Sequence, residues 1–120
     1  MISSLLLRVS TVLLLAGLLF GIYMGMHEDF TLAPAHAHLI LIGFVLMFLV
    51  GLYYRIVPEA GSGLLANIQA GLHIIGAIAL PIGVVQVLLG SGQVLVIVGS
   101  LVVLAAMAVF TYIVFRTAAA

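Results

Sequence analysis

The chain contains no cysteine and no lysine. Without thiols it can form no disulfide, no iron–sulfur cluster and no thiolate chemistry. Charge of either sign is scarce: three arginines face three acidic residues, charged residues make up 5% of the chain, and the formal net charge is zero. So neutral a chain offers no electrostatic footprint for nucleic acid or for acidic partners. What fills it instead is apolar, at 67% hydrophobic residues and a mean hydropathy of +1.53 over 120 residues. A water-soluble domain of this length could not bury so much apolar surface, so a lipid bilayer is the solvent this composition requires.

Four apolar stretches can be cut out, at about residues 5–26, 34–57, 64–89 and 93–115. Each meets the requirement of about 20 residues for a spanning helix. The breaks between them, "HEDFTLA", "PEAGSG" and "GSG", carry the glycine, proline and acidic residues expected where backbone leaves a membrane. A closed barrel is excluded because the segments are too long and do not alternate. The expectation is an all-α membrane protein, a single domain over residues 1–120 built as a four-transmembrane-helix bundle. The first segment also resembles a secretory signal, with Ala33-Pro34-Ala35 as the cleavage site. Its apolar run is longer than such signals carry, however, and Glu28 and Asp29 separate it from that site. With four spans, Arg8, Arg55 and Arg116 fall on one side. The positive-inside bias makes that side, and both termini, cytoplasmic.

Small residues mark the packing faces. Gly17, Gly21 and Gly25 form a repeated small-xxx-small ridge on helix 1, suited to close approach within the bundle or along an oligomer seam. Ala66, Ala70, His73 and Ala77 form a second small face on helix 3, where Pro81 is expected to kink the helix. Helix 4 has no ionisable residue before Arg116 and reads as scaffold.

Against this background the four histidines stand out. An ionisable group inside a span is a functional-site hypothesis, because its desolvation must be compensated. His27 lies in a loop, where solvation suffices. His36 and His38 open helix 2 in "LAPAHAHLILIGF", residues 32–44. Two positions apart on a helix, their rings point about 200° away from each other and cannot ligate one ion. His36 shares a face with Ile40, Gly43, Met47 and Tyr54; His38 shares one with Ile42, Val45 and Leu49. Such apolar surfaces suit a planar macrocycle with an iron centre, with Gly43, Met47 and Tyr54 as pocket packing, and neutral imidazole ligates iron without bringing charge into the membrane. His73 lies about nine residues, or ~14 Å, from the inner end of helix 3. That depth disfavours a pair with His36.

The stretch "PAHAHLILIGFVLMFLVGLYYRIVPE" resembles helix 2 of the large subunit of haem-copper oxidases, and looks closest to the cbb-type cytochrome oxidases and the nitric oxide reductases. Pro34, His36, Gly43, Tyr53, Tyr54, Pro58 and Glu59 carry the resemblance, over about a fifth of the chain. It implies that His36 is an axial ligand of a low-spin haem. The family's "HTN" is here His36-Ala37-His38, so a second imidazole replaces the asparagine. The family subunit has at least twelve helices, similar to three four-helix arcs with the low-spin haem between helix 2 of one arc and helix 2 of another. This chain looks like one such arc. The resemblance therefore implies a homo-oligomer, a trimer rather than a dimer, with haem b between His36 of one protomer and His38 of the next. It also implies a bacterial or archaeal inner membrane, and a quinol or periplasmic electron carrier as partner. Six-coordinate iron has no open position, and the spans hold no carboxylate or lysine to deliver protons, so electron transfer is expected rather than catalysis.

For His73 three roles stay open: a structural hydrogen bond supported by Gln69, a second haem ligand, or an analogue of the family's copper-ligating histidines. A rival reading of the whole chain is metal handling. "MGMHED", residues 24–29, offers Met24, Met26 and His27, soft thioethers with an imidazole that suit Cu(I). With His36 and His38 these would make a copper-binding or oxidase-assembly protein; a third reading is a structural helper subunit.

Overall fold

The computed structural model describes residues 1–118 and is helical from end to end. Helix α1 runs Ile2–Met26, α2 Ala33–Ile56, α3 Leu64–Leu88 and α4 Val94–Thr117. All four are long and apolar enough to cross a membrane, within a few residues of the spans expected from composition. Each stops where its chemistry requires. Pro34 sits in the first turn of α2, where a missing N–H costs nothing, and Pro58 follows its last turn. The α3–α4 turn is Gly90-Ser91-Gly92, with both glycines at positive φ (75° and 127°), backbone that side-chain-bearing residues rarely adopt.

Sequence neighbours are spatial neighbours. α1 packs on α2, α2 touches α3, and α3 makes the most extensive contact of all, with α4, which leaves α1 and α4 on opposite flanks. The exterior carries Leu15, Leu19, Ile22, Leu101 and Leu104, all more than half exposed, while Ser3, Ser10, Gln69 and His73 are buried. This distribution is compatible with an integral membrane protein, in which close packing and hydrogen bonds, rather than burial of apolar surface, join helices.

Close approach is made by glycine. A Cβ on Gly83 would lie 2.5 Å from the Val96 nitrogen, and one on Gly99 would lie 3.0 Å from the Leu80 Cα, so α3 and α4 touch backbone to backbone. Gly17 and Gly21 face Ile40 and His36 of the chain's own α2. Gly25 does not join that ridge: nothing lies within 4 Å of where its Cβ would be. It stands level with the loop before α2 begins, so there is no helix for it to approach. On α3, Ala66, Ala70, His73 and Ala77 are all buried as one face.

One feature of α2 departs from a regular helix. Residues Leu39–Leu46 are π-helical. Bonds run i→i+5 there, so each residue advances by less than the α-helical angle. Ile42, expected to share a face with His38, is buried, whereas Leu41, Val45 and Leu49 of the same helix are exposed.

Candidate functional site

The histidine end of the molecule is shaped by the loop between α1 and α2. Asp29 accepts hydrogen bonds from the Thr31 hydroxyl (2.6 Å) and the Thr31 backbone N–H (3.1 Å). These two bonds, the hydroxyl first, hold the carboxyl below the usual carboxylate range. The chain then enters α2 within three residues of Pro34.

His38 Nδ1 lies 2.7 Å from the Pro34 carbonyl oxygen. A carbonyl can only accept, so Nδ1 carries the proton and Nε2 keeps its lone pair. That nitrogen has no partner among the described residues. The ring is partly exposed.

His36 points the other way, as two positions on a helix require. Its ring stands edge-on to Phe20, with centroids 6.0 Å apart, and against Gly21 of α1. His36 Nδ1 is the one buried side-chain nitrogen or oxygen without a hydrogen-bond partner among the described residues. Its Nε2 is also unpartnered but is not enclosed.

His73 is fully engaged. Its Nε2–H donates to the Ile42 carbonyl oxygen (3.1 Å), and its Nδ1 accepts from the Gln69 amide (3.4 Å). Gln69 in turn accepts from the Tyr54 hydroxyl at 2.8 Å. The result is one buried polar chain from Tyr54 through Gln69 and His73 to the π-helical carbonyl of Ile42. Of the three roles open for His73, this geometry matches the structural hydrogen bond with Gln69, and it leaves no lone pair for iron. His73 meets α2 six residues beyond His36, about 9 Å along the helix, so the two rings are not brought together.

The face expected to pack against a macrocycle is filled by the chain itself. Gly43 packs on Leu13, Met47 is fully buried, and Tyr54 is tied to Gln69 and set edge-on to Phe110. The exposed apolar residues of this stretch of α2 are Leu41, Val45 and Leu49 instead. The copper donors are not gathered either. Met24 is 5% exposed and Met26 77% exposed, on opposite sides of α1. His27 Nδ1 donates to the Tyr23 carbonyl at 2.9 Å, with its ring over Tyr23. Among the described residues no three His, Asp or Glu side chains lie together as a metal site would need.

Sequence reasoning missed two features. No single residue marks the π-helical stretch in the uniform run "LILIGFVL". Nothing local signals the cavity at the opposite end, where residues about fifty positions apart in sequence converge. No protein-family model, no curated protein and no solved structure matches this chain.

Proposed function

We propose that the protein is a small membrane b-type cytochrome, with low-spin haem held by two histidines between protomers of a homo-oligomer. The observation that carries this is the His38 ring. Its Nδ1–H is anchored on Pro34, and its Nε2 lone pair is left free on a partly exposed ring, in a helix whose Leu41, Val45 and Leu49 are also exposed. Ligating histidines are prepared in this way, with the second nitrogen fixing tautomer and orientation. The helix 2 resemblance supports the same assignment. His36 supplies the second ligand from the neighbouring copy through its unpartnered Nε2. His73 is not a ligand in this reading.

When bound, haem b supplies reversible one-electron transfer at its iron. The chain's own part is to orient and to exclude. Pro34 holds the His38 ring, while Leu41, Val45 and Leu49 keep water from the ligand. The spans contribute no carboxylate or lysine for proton delivery, which supports electron transfer over oxygen or nitric oxide reduction. Arg8, Arg55 and Arg116 share one end, and the positive-inside bias supports cytoplasmic termini, with the histidines at the outer face of a bacterial or archaeal inner membrane. A quinol or a periplasmic electron carrier is the partner, and a trimer is favoured over a dimer.

The test is a visible spectrum of the detergent-purified protein expressed with ample haem. A sharp low-spin b-type spectrum on reduction is expected. His36→Ala and His38→Ala should each lose it and partly recover it when co-expressed, because a mixed oligomer rebuilds intact interfaces. A colourless wild type that takes up no haem overturns the reading. A full spectrum in His38→Ala overturns the ligand assignment.

A further inference from the structure

The end opposite the histidines holds a cavity of about 740 Å³ between the start of α1, the end of α2 and the start of α3. Arg8, Arg55, Ser3, Ser4 and Asn67 bring polar groups to its wall, and Leu5 is part of its apolar lining. Among the described residues no carboxylate lines it, so two guanidinium charges stand there without an acid. The Arg55 position is built: its Nε donates to the Ser3 hydroxyl oxygen (3.1 Å) and its Nη2 to the Ser4 hydroxyl oxygen (2.7 Å). Those bonds brace the guanidinium across two helices and leave the Ser3 and Ser4 O–H groups and the Arg55 Nη1 free to donate. The Arg8 side chain makes no hydrogen bond among the described residues. Donors from three helices therefore converge on one space that holds two guanidinium groups.

We propose that this cavity binds the phosphate of an anionic phosphate ester, presented by a lipid headgroup or free in solution. Several oxygens on one centre are what a guanidinium fork and neighbouring hydroxyls can hold together. The space is too large for a bare phosphate and has an apolar wall for the rest of the molecule. It opens where α1 begins and α2 ends, the level at which a helix crossing a membrane meets headgroups, and anionic lipids are drawn to arginines there. The site is independent of haem. Its loss leaves the His38-dependent spectrum in place, and a colourless wild type leaves this site intact.

The experiment uses the full chain in neutral detergent and in bilayer discs. Binding is read by native mass spectrometry and by the melting shift. The probes are phosphatidylglycerol, phosphatidylcholine, glycerol phosphate and inorganic phosphate. Wild type is expected to prefer phosphatidylglycerol over phosphatidylcholine. Arg8→Gln, which removes no internal contact, should weaken that binding about tenfold. Arg55→Lys, which keeps the charge but not the fork, should weaken it less. Arg116→Gln is the control. Arg116 lies at the same end but outside the cavity, over the Tyr112 ring at 5.7 Å, and its loss should change nothing. Saturation by glycerol phosphate at concentrations comparable to the lipid supports the site and assigns it a soluble ester; response to the lipid alone supports the site and assigns it a headgroup. An Arg8→Gln protein with undiminished preference overturns the proposal. So does an equal loss in Arg116→Gln, which would reduce the effect to diffuse surface charge.

Discussion

The α3–α4 hairpin and the α1–α2 hairpin are both made of Leu, Val, Ile, Ala and Gly, yet they close differently. α3 and α4 meet backbone to backbone through Gly83 and Gly99, and their one buried titratable side chain, His73, has both ring nitrogens bonded. α1 and α2 also approach through glycine, but they leave unfilled capacity at both ends. His36 and His38 keep free nitrogens at one, and Arg8 and Arg55 keep free N–H groups at the other. The α3–α4 hairpin has its buried histidine satisfied inside the chain, by Gln69 and by Ile42 of α2, whereas the α1–α2 hairpin leaves polar groups unused at both ends. Stability and ligand binding should therefore separate between the two hairpins.

The largest effect should come from breaking the α3–α4 hairpin. In Gly83→Leu the new side chain meets the Val96 backbone, which cannot rotate away, so α3 and α4 must part. A loss of at least about 3 kcal/mol is expected, read as collapse of the detergent-stable yield and melting temperature. Gly25→Ala is the counterpart, since nothing lies near that position. It should leave stability unchanged or raise it by up to about 1 kcal/mol. A tolerated Gly83→Leu would show that the α3–α4 contact is not closed.

The next comparison sets His73 against His38. His73→Leu leaves the Ile42 carbonyl and the Gln69 amide unpaired in the interior, at a cost of about 1–2 kcal/mol. Haem content should stay at the wild-type level. His38→Ala removes only a partly exposed ring and should change stability by less than about 1 kcal/mol while abolishing the spectrum. The opposite pattern, with colour lost in His73→Leu and kept in His38→Ala, would move the site into the core and erase the distinction between hairpins.

How far this distinction was legible in the sequence depends on whether its cause is local. Span positions follow from composition, and they agree with the helices to within a few residues. The Gln69–His73 bond was legible because residues four apart share a helix face. What His73 does with its other nitrogen was not. The Ile42 carbonyl becomes available inside a π-helical stretch, and that stretch lies in a run of side chains too alike to announce it. The Gly17–Gly21–Gly25 ridge was legible as a pattern but not in extent, because Gly25 has no helix opposite. The Arg55 cavity depends on contacts to Ser3 and Ser4, more than fifty positions away, which only the folded hairpin creates.

A smaller effect should follow from pressing on the open site itself. A Cβ at Gly21 would lie 2.9 Å from His36 Cε1, and the imidazole is the part that can move. Gly21→Ala should cost about 1 kcal/mol, or less where the alanine's helix propensity offsets it. Its more telling result would be a shift of the haem spectrum or a reduced haem content at nearly unchanged stability. An unaltered spectrum would show that His36 is not held by this seam.

The smallest effect distinguishes the two hairpin loops by pH. Gly90-Ser91-Gly92 has no titratable side chain, so the α3–α4 turn should be indifferent to acid. The α1–α2 loop is pinned by Asp29, whose exposed carboxylate accepts the Thr31 hydroxyl and backbone N–H, and these bonds favour its charged form. Its folded pKa is therefore depressed. The stabilisation is present above the unfolded value of about 3.9 and is lost as pH falls through the lower folded value. Melting temperatures of wild type and Asp29→Ala, compared from pH 5 down to pH 3, should be separated at the upper end and converge toward the lower. Exposure keeps the separation small. Thr31→Val, which removes the larger of the two causes, should reduce it further while leaving the backbone bond. A separation that stays constant or widens in acid would show that Asp29 does not tie the loop, and that α2 enters its histidine turn without that anchor.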